Sequence, residues 1–139
     1  MLPKWHILFG AIFSLILYFF LNISLFNSSI VFLASVLIDV DHYLLYIYRR
    51  KNFSLKNAYL IHKKTSKNHK PMLHLFHTIE FLILILIFSF FNSFFLFILI
   101  GMLFHSFFDL VELIYEKCIS CREYFLTRYL LAKDKNKYF

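Results

Sequence analysis

Residues 71–117 read PMLHLFHTIEFLILILIFSFFNSFFLFILIGMLFHSFFDLVELIYEK, 47 positions of almost unbroken apolar sequence. As one α-helix they would extend about 70 Å at 1.5 Å per residue, whereas the hydrocarbon core of a bilayer is roughly 30 Å thick. The stretch must therefore fold back. Asn92-Ser93 is the polar pair that offers a turn. This predicts one membrane span from Met72 to Phe91 and another from Phe94 to Tyr115, with Pro71 suited to the first turn of the former.

Working outward, two more apolar runs precede this pair. Ile7 to Phe26 and Ile30 to Tyr48 each approach the ~20 residues needed to cross a bilayer. Asn22, Ser24, Asn27, Ser28 and Ser29 mark a turn between them. The expectation is an all-α fold, a polytopic membrane protein with four transmembrane helices in a bundle, spanning about 6–25, 28–48, 72–91 and 94–115. This transmembrane domain covers residues 1–116, with a basic loop at 49–71 and a basic tail at 117–139. A short amphipathic helix is expected around Tyr124 to Leu131. The first span has an apolar core from Ile7 to Leu21, long for a signal peptide, and no A-x-A-like site follows, so it is expected to be retained.

Four spans put the N-terminus, the central loop and the tail on one face. All 15 Lys and Arg then fall there: Lys4, eight in the loop and six in the tail. By the positive-inside tendency that face is cytoplasmic, and the protein is a multi-pass protein of the inner or plasma membrane. A three-span alternative would set the basic tail opposite the basic loop. The same bias accounts for the net charge of +7, so no nucleic-acid partner is expected; membrane lipids are. A composition of 60% hydrophobic residues, 20 of them Phe, exceeds what a water-soluble domain of this length buries. Cys118 and Cys121 form a lone C-x-x-C; without a second pair it makes no zinc ribbon, and reduced thiols are expected.

The spans carry ionisable groups and no Lys or Arg to pair with them. His6 opens the first span; Asp39, Asp41 and His42 interrupt the second; His74, His77 and Glu80 open the third; His105, Asp109 and Glu112 lie in the second half of the fourth. Their depths match. Counted from the outer turns, Asp41 lies about 19 Å in and Asp109 about 22 Å in; from the cytoplasmic side, His77 and Glu80 lie roughly 9 and 14 Å in. All converge on the cytoplasmic third of the bilayer. Facing agrees: at ~100° per residue, His105, Asp109, Glu112 and Glu116 fall within about 60°, with Gly101 on the same stripe. Asp39 and His42 are helix neighbours, while Asp41 points elsewhere unless the helix is locally irregular. Gly10 and Ser14, on the His6 side, permit close helix approach.

Five acids facing lipid would cost on the order of 10 kcal/mol. Protonation, histidine partners, a wet cavity or a cation must offset that. Imidazole with carboxylate is a usual ligand set for zinc, iron or manganese, so a divalent metal is the expected cofactor, zinc first. His62 and His69 read as loop histidines, Glu123 and Asp134 as solvated tail charges.

Trp5-His6 before an apolar span, Leu37-Ile38-Asp39-Val40-Asp41-His42, a His-rich start to the third span, and Gly101-x-x-x-His105-x-x-x-Asp109 follow one another in order. The pattern resembles the membrane-bound metal-dependent hydrolase-like family, the YdjM-type inner-membrane proteins, over about residues 5 to 115. His77-Thr78 stands where that family has T-H-S. The resemblance implies metal ligation by His6, Asp39, Asp41, His42, His77, His105 and Asp109. It also implies hydrolysis. Glu80 or Glu112 is the expected general base, because an apolar setting raises a carboxylate's pKa, and the basic loop points to an anionic lipid or phosphoester substrate at the cytoplasmic interface. Two alternatives stand beside it. One is a non-enzymatic protein whose polar cluster binds metal or orders the bundle. The other is a metal or proton transporter, which is opposed by the lack of any charge from Phe13 to Ser35 and from Phe81 to Gly101. A homodimer would help so small a bundle shield its polar groups.

Overall fold

The computed structural model describes residues 3–65 and 71–132; His69, Asp134 and the side chain of His62 lie outside the described residues. The chain is mostly helical: α1 (Pro3–Phe20), α2 (Leu25–Leu37), α3 (Val40–Arg50), α4 (Leu55–Thr65), α5 (Ile79–Ser89), α6 (Ser93–Tyr115) and α7 (Leu126–Leu131). Its sheet among the described residues is one parallel pair of two-residue strands, β1 (Met72–Leu73) and β2 (Arg122–Glu123).

The expected turns form. Asn22 takes the left-handed conformation (φ 53°), and Ser24 starts α2 by accepting a hydrogen bond from the Asn27 amide at 3.2 Å. Asn92 starts α6 in the same manner, accepting from the Phe94 amide at 2.9 Å. Two helical stretches are long and apolar enough to cross a membrane, Leu25–Arg50 with 26 residues and Ser93–Tyr115 with 23. Lys4–Phe20 and Ile79–Ser89 are apolar but shorter.

The second helical stretch is not continuous. α2 stops at Leu37, Ile38 and Asp39 form a turn, and α3 restarts at Val40. The His42 amide donates to the Asp39 carbonyl at 3.1 Å, one residue tighter than a regular helix. This is the local irregularity that Asp41 needs in order to face inward.

The expectation of a helix starting at Met72 is corrected. Residues 72–78 form β1 and a 3₁₀ turn at Leu75–His77, and α5 begins only at Ile79, capped by the Thr78 hydroxyl. At 11 residues, α5 is about 17 Å long. The reason is a competition for backbone donors. In a continuous helix the Phe76 amide would be spent on the Met72 carbonyl; here it donates to the Asp41 carboxylate at 2.9 Å. The tail competes for the same segment by pairing β2 with β1 and by accepting the Ile79 amide at the Tyr124 carbonyl, 2.9 Å.

α2 and α6 pack centrally, with α1 against α2 and α5 against α6. Small residues set the spacing. A Cβ on Gly101 would collide with the Val31 carbonyl and lie 2.9 Å from the Ala34 Cβ, so α6 rests directly on the α2 backbone. Gly10 of α1 faces the Ser35 hydroxyl in the same manner. Phe13 stacks on Phe104 at 4.0 Å and Phe9 on Phe108 at 5.0 Å, tying α1 to α6. Ile38, Ile85, Leu99 and Met102 make the apolar core.

Polarity is inverted about this frame. Ile7, Leu8, Ile12 and Leu15 of α1 and Leu103, Phe107 and Leu110 of α6 are exposed, whereas His6, Ser14, Ser35, His105 and Asp109 are buried.

The Gly101 contact is with backbone and cannot rotate away, so Gly101→Ala is expected to cost about 1–3 kcal/mol and to lower the thermal midpoint in detergent. Gly10→Ala meets a hydroxyl that can turn aside and should cost less. Equal losses for the two would contradict this account of helix spacing.

Candidate metal centre

The turn between α2 and α3 organises the cluster. Ser35 lies in the last turn of α2; the Ala34 carbonyl still accepts from the Ile38 amide at 3.3 Å, whereas no backbone amide bonds the Ser35 carbonyl among the described residues. The Ser35 carbonyl instead accepts from His105 Nδ1 at 2.7 Å. A carbonyl only accepts, so Nδ1 carries the proton, and in the neutral imidazole Nε2 is then a bare lone pair. His77 is oriented likewise: its Nδ1 donates to Asp41 Oδ2 at 3.1 Å, leaving Nε2 to point the other way. Both Nε2 atoms are buried and have no hydrogen-bond partner among the described residues.

These two nitrogens meet two carboxylates. His105 Nε2 lies 3.3 Å from Asp39 Oδ1 and 3.3 Å from Asp109 Oδ2. His77 Nε2 lies 3.8 Å from Asp39 Oδ1 and 3.6 Å from Asp109 Oδ2. The donor atoms of Asp39, His77, His105 and Asp109 all fall within 4.8 Å of one another. Ligands about 2.1 Å from a tetrahedral zinc would lie about 3.4 Å apart, so the spacing fits a metal ion. A bare lone pair facing carboxylate oxygens is unfavourable, and a proton or a cation between them relieves it. The buried His/Asp group could therefore hold a metal ion. Asp39 is its most accessible member, its side chain 26% exposed against 5% or less for the other three.

Asp41, His42 and His74 form a second group, again with donor atoms within 4.8 Å. Asp41 Oδ1 accepts from His42 Nδ1 at 2.8 Å, and His74 stacks on His42 with ring centres 3.6 Å apart. The buried Nδ1 of His74 lies 4.0 Å from Asp41 Oδ1 and has no hydrogen-bond partner among the described residues. Asp41 thus joins the two groups: one oxygen serves His42, the other serves His77 and the Phe76 amide.

His6 is brought in from α1. It is buried, stacks on His105 at 4.0 Å, and its Nε2 lies 3.2 Å from Asp109 Oδ1. It meets Asp109 at Oδ1, whereas His77 and His105 meet Oδ2, and it lies outside the four-residue group. His6, Asp39, Asp41, His42, His77, His105 and Asp109 are therefore all drawn together by the fold.

The carboxylates expected as general bases are placed differently. Glu80 Oε1 accepts from the Thr127 amide at 3.0 Å and hydroxyl at 2.8 Å, and Oε2 from the Leu126 amide at 3.0 Å. Both of its oxygens cap the start of α7. Glu112 is half-buried on α6, three residues beyond Asp109.

Sequence reasoning missed two side chains. In the sequence His74 stands out only as part of a His-rich opening. Arg122 is one of six tail cations by sequence, yet its Nη2 donates to Asp109 Oδ2 at 2.6 Å. The acids thus do have a cationic partner, supplied from outside the helices. The tail, expected to be a polar appendage, packs over the site. Glu123, expected to be solvated, is buried and accepts from the Phe125 amide at 3.2 Å. Burial raises the Tyr124 phenol above its ordinary range, so it stays a neutral donor, here to the Ile119 carbonyl at 3.2 Å. Cys118 and Cys121, expected as free thiols, are paired as a disulfide across a 3₁₀ turn. Only their spacing hinted at proximity.

No protein-family model, curated protein or solved structure matches the chain.

Two substitutions separate ligation from support. Asp41→Ala removes the acceptor that aims His77 and should weaken divalent-metal affinity about 10–100-fold without abolishing it, as measured by chelator competition. Glu80→Ala should leave metal affinity unchanged while making residues 118–131 more susceptible to limited proteolysis. Loss of metal in that variant would return Glu80 to the site.

Proposed function

We propose that the protein is a four-span membrane protein whose buried His/Asp cluster holds a divalent metal and hydrolyses an anionic phosphoester or lipid-like substrate at the cytoplasmic interface. One observation carries this reading: two imidazole Nε2 atoms, each fixed by an acceptor behind it, converge unpartnered on two carboxylates.

The membrane part rests on the inverted polarity and on coverage. Only 33% and 28% of the two long apolar windows is buried within the chain, whereas a soluble core helix is covered on most sides. α1 and α5 would complete the bundle. α5 is short, but the irregular segment before it is lined by buried His74, His77 and Thr78, and non-helical backbone is tolerated at membrane depth where protein covers it. Placing loop, tail and N-terminus in the cytoplasm follows from their Lys and Arg.

Two carboxylates and two imidazoles suit zinc, manganese or iron, and such an ion would supply Lewis acidity at the Asp39 edge of the cluster. The chain's own residues do the rest. Ser35 and Asp41 hold the tautomers of His105 and His77. His6 and Arg122 hold Asp109. Glu112, three residues beyond Asp109 on α6, is the residue proposed as general base. The likeness to the membrane-bound metal-dependent hydrolase-like family belongs to the same proposal.

A second reading has an observation in its favour. Arg122 balances Asp109 without any metal, as it would in a non-enzymatic protein whose cluster orders the bundle.

Elemental analysis of the detergent-purified protein decides between them. About one or two equivalents of a divalent transition metal are expected in the native chain, with loss in Asp39→Ala/His105→Ala. Metal-loaded protein should then cleave a member of a phosphoester panel. A metal-free native chain that stays so after reloading sinks the metal reading. Bound metal without any turnover leaves metal binding and removes hydrolysis.

A further inference from the structure

Beside the cluster, the turn after α6 and the tail enclose a groove of about 870 Å³, within the roughly 300–1,000 Å³ of small-molecule sites. Its lining includes Lys117, Arg122 and Arg128, with Ser120 and Tyr124 as neutral polar groups. Glu123, the one acid lining it among the described residues, is buried; its Oε1 accepts from the Phe125 amide at 3.2 Å and lies 3.7 Å from Arg128 Nη1. Arg122 is balanced by Asp109 and Arg128 lies beside Glu123, so among the described lining residues the three cations leave a net excess of one positive charge. Pro71, Ile114 and Ile119 give it an apolar wall. It opens just past Tyr115, where the long apolar helix α6 ends.

We propose that this groove binds a phosphate-type anion, either a free phosphate or the headgroup of an amphiphile. The proposal deepens the phosphoester reading above by placing the substrate's anionic group, and it rests on that reading for its catalytic meaning. Arg122 makes the connection. Its Nη2 serves Asp109 at 2.6 Å, and the side chain is 11% exposed; the planar fork of its guanidinium is well shaped for a second oxyanion. The same side chain therefore touches a candidate metal ligand and lines the groove. Arg128 is 70% exposed, and Lys117 is exposed on a left-handed residue (φ 55°), so both heads can reach an incoming anion at little cost. The apolar wall beside these cations suits a group that carries hydrocarbon as well as charge.

The test uses the full chain in detergent, loaded with zinc. Inorganic phosphate and dioctanoyl phosphatidic acid are titrated separately by calorimetry, and metal content is measured on the same preparations. Lys117→Gln/Arg128→Gln removes two charge-assisted contacts and should weaken binding by about tenfold or more while leaving metal content unchanged. Lys51→Gln/Lys56→Gln removes the same charge from exposed positions on the loop and should leave affinity nearly as it was. Tighter binding of phosphatidic acid assigns the groove to an amphiphile; equal or tighter binding of inorganic phosphate assigns it to the free ion. The proposal is overturned if neither ligand binds, or if both double variants weaken binding alike. Metal retained without anion binding removes the groove and keeps the centre; anion binding without metal does the reverse.

Discussion

The hydrogen bond from His105 Nδ1 to the Ser35 carbonyl is the contact on which the polar interior depends. A helix that stops inside an apolar bundle leaves carbonyls that no water can satisfy. α2 stops at Leu37, and α6 supplies a donor to one of those carbonyls. The same stop turns Asp39 toward His105 and lets Asp41 reach His77. One interruption therefore creates an unmet need, meets it with an imidazole, and aims the far side of that imidazole at two acids. Gly101, one turn earlier on α6, makes the approach close enough for the bond to form.

If the helices lie in lipid, hydrophobic burial does not drive them together, because lipid tails are as apolar as Leu. Association must come from backbone approach, aromatic stacking and polar contacts. The structure has each of these: Gly101 on Val31, Phe13 on Phe104, and the His/Asp network shared among α1, α3, α6 and the segment before α5. The network is thus part of the packing as well as a candidate site, and substitutions within it will affect both stability and ligation.

Much of this was legible in the sequence. Asn92-Ser93 is the polar pair expected to turn, and α6 does start there; matched depth grouped Asp41, Asp109, His77 and Glu80, and shared facing grouped His105 and Asp109 with Glu112 and Glu116, of which Glu80 instead caps α7. The start of α5 was not legible. Leu73, Leu75 and Phe76 are as apolar in a bridge and a 3₁₀ turn as in a helix, and what decides is a carboxylate 35 positions away taking the Phe76 amide. The inward role of Asp41 could be stated only as a condition, that the helix be irregular. Arg122 lay in a tail without periodicity, and a two-residue strand pair is too short to leave a pattern.

The contact between Arg122 and Asp109 also bears on the order in which the site comes into being. The two residues are 13 positions apart, and Asp109 leaves the ribosome first. At roughly 5–20 residues per second the arginine follows on the order of a second later. During that interval His6, His77 and His105 are already made, and Asp109 lacks its guanidinium. The charge balance of Asp109 is therefore completed by the last-made member of the cluster.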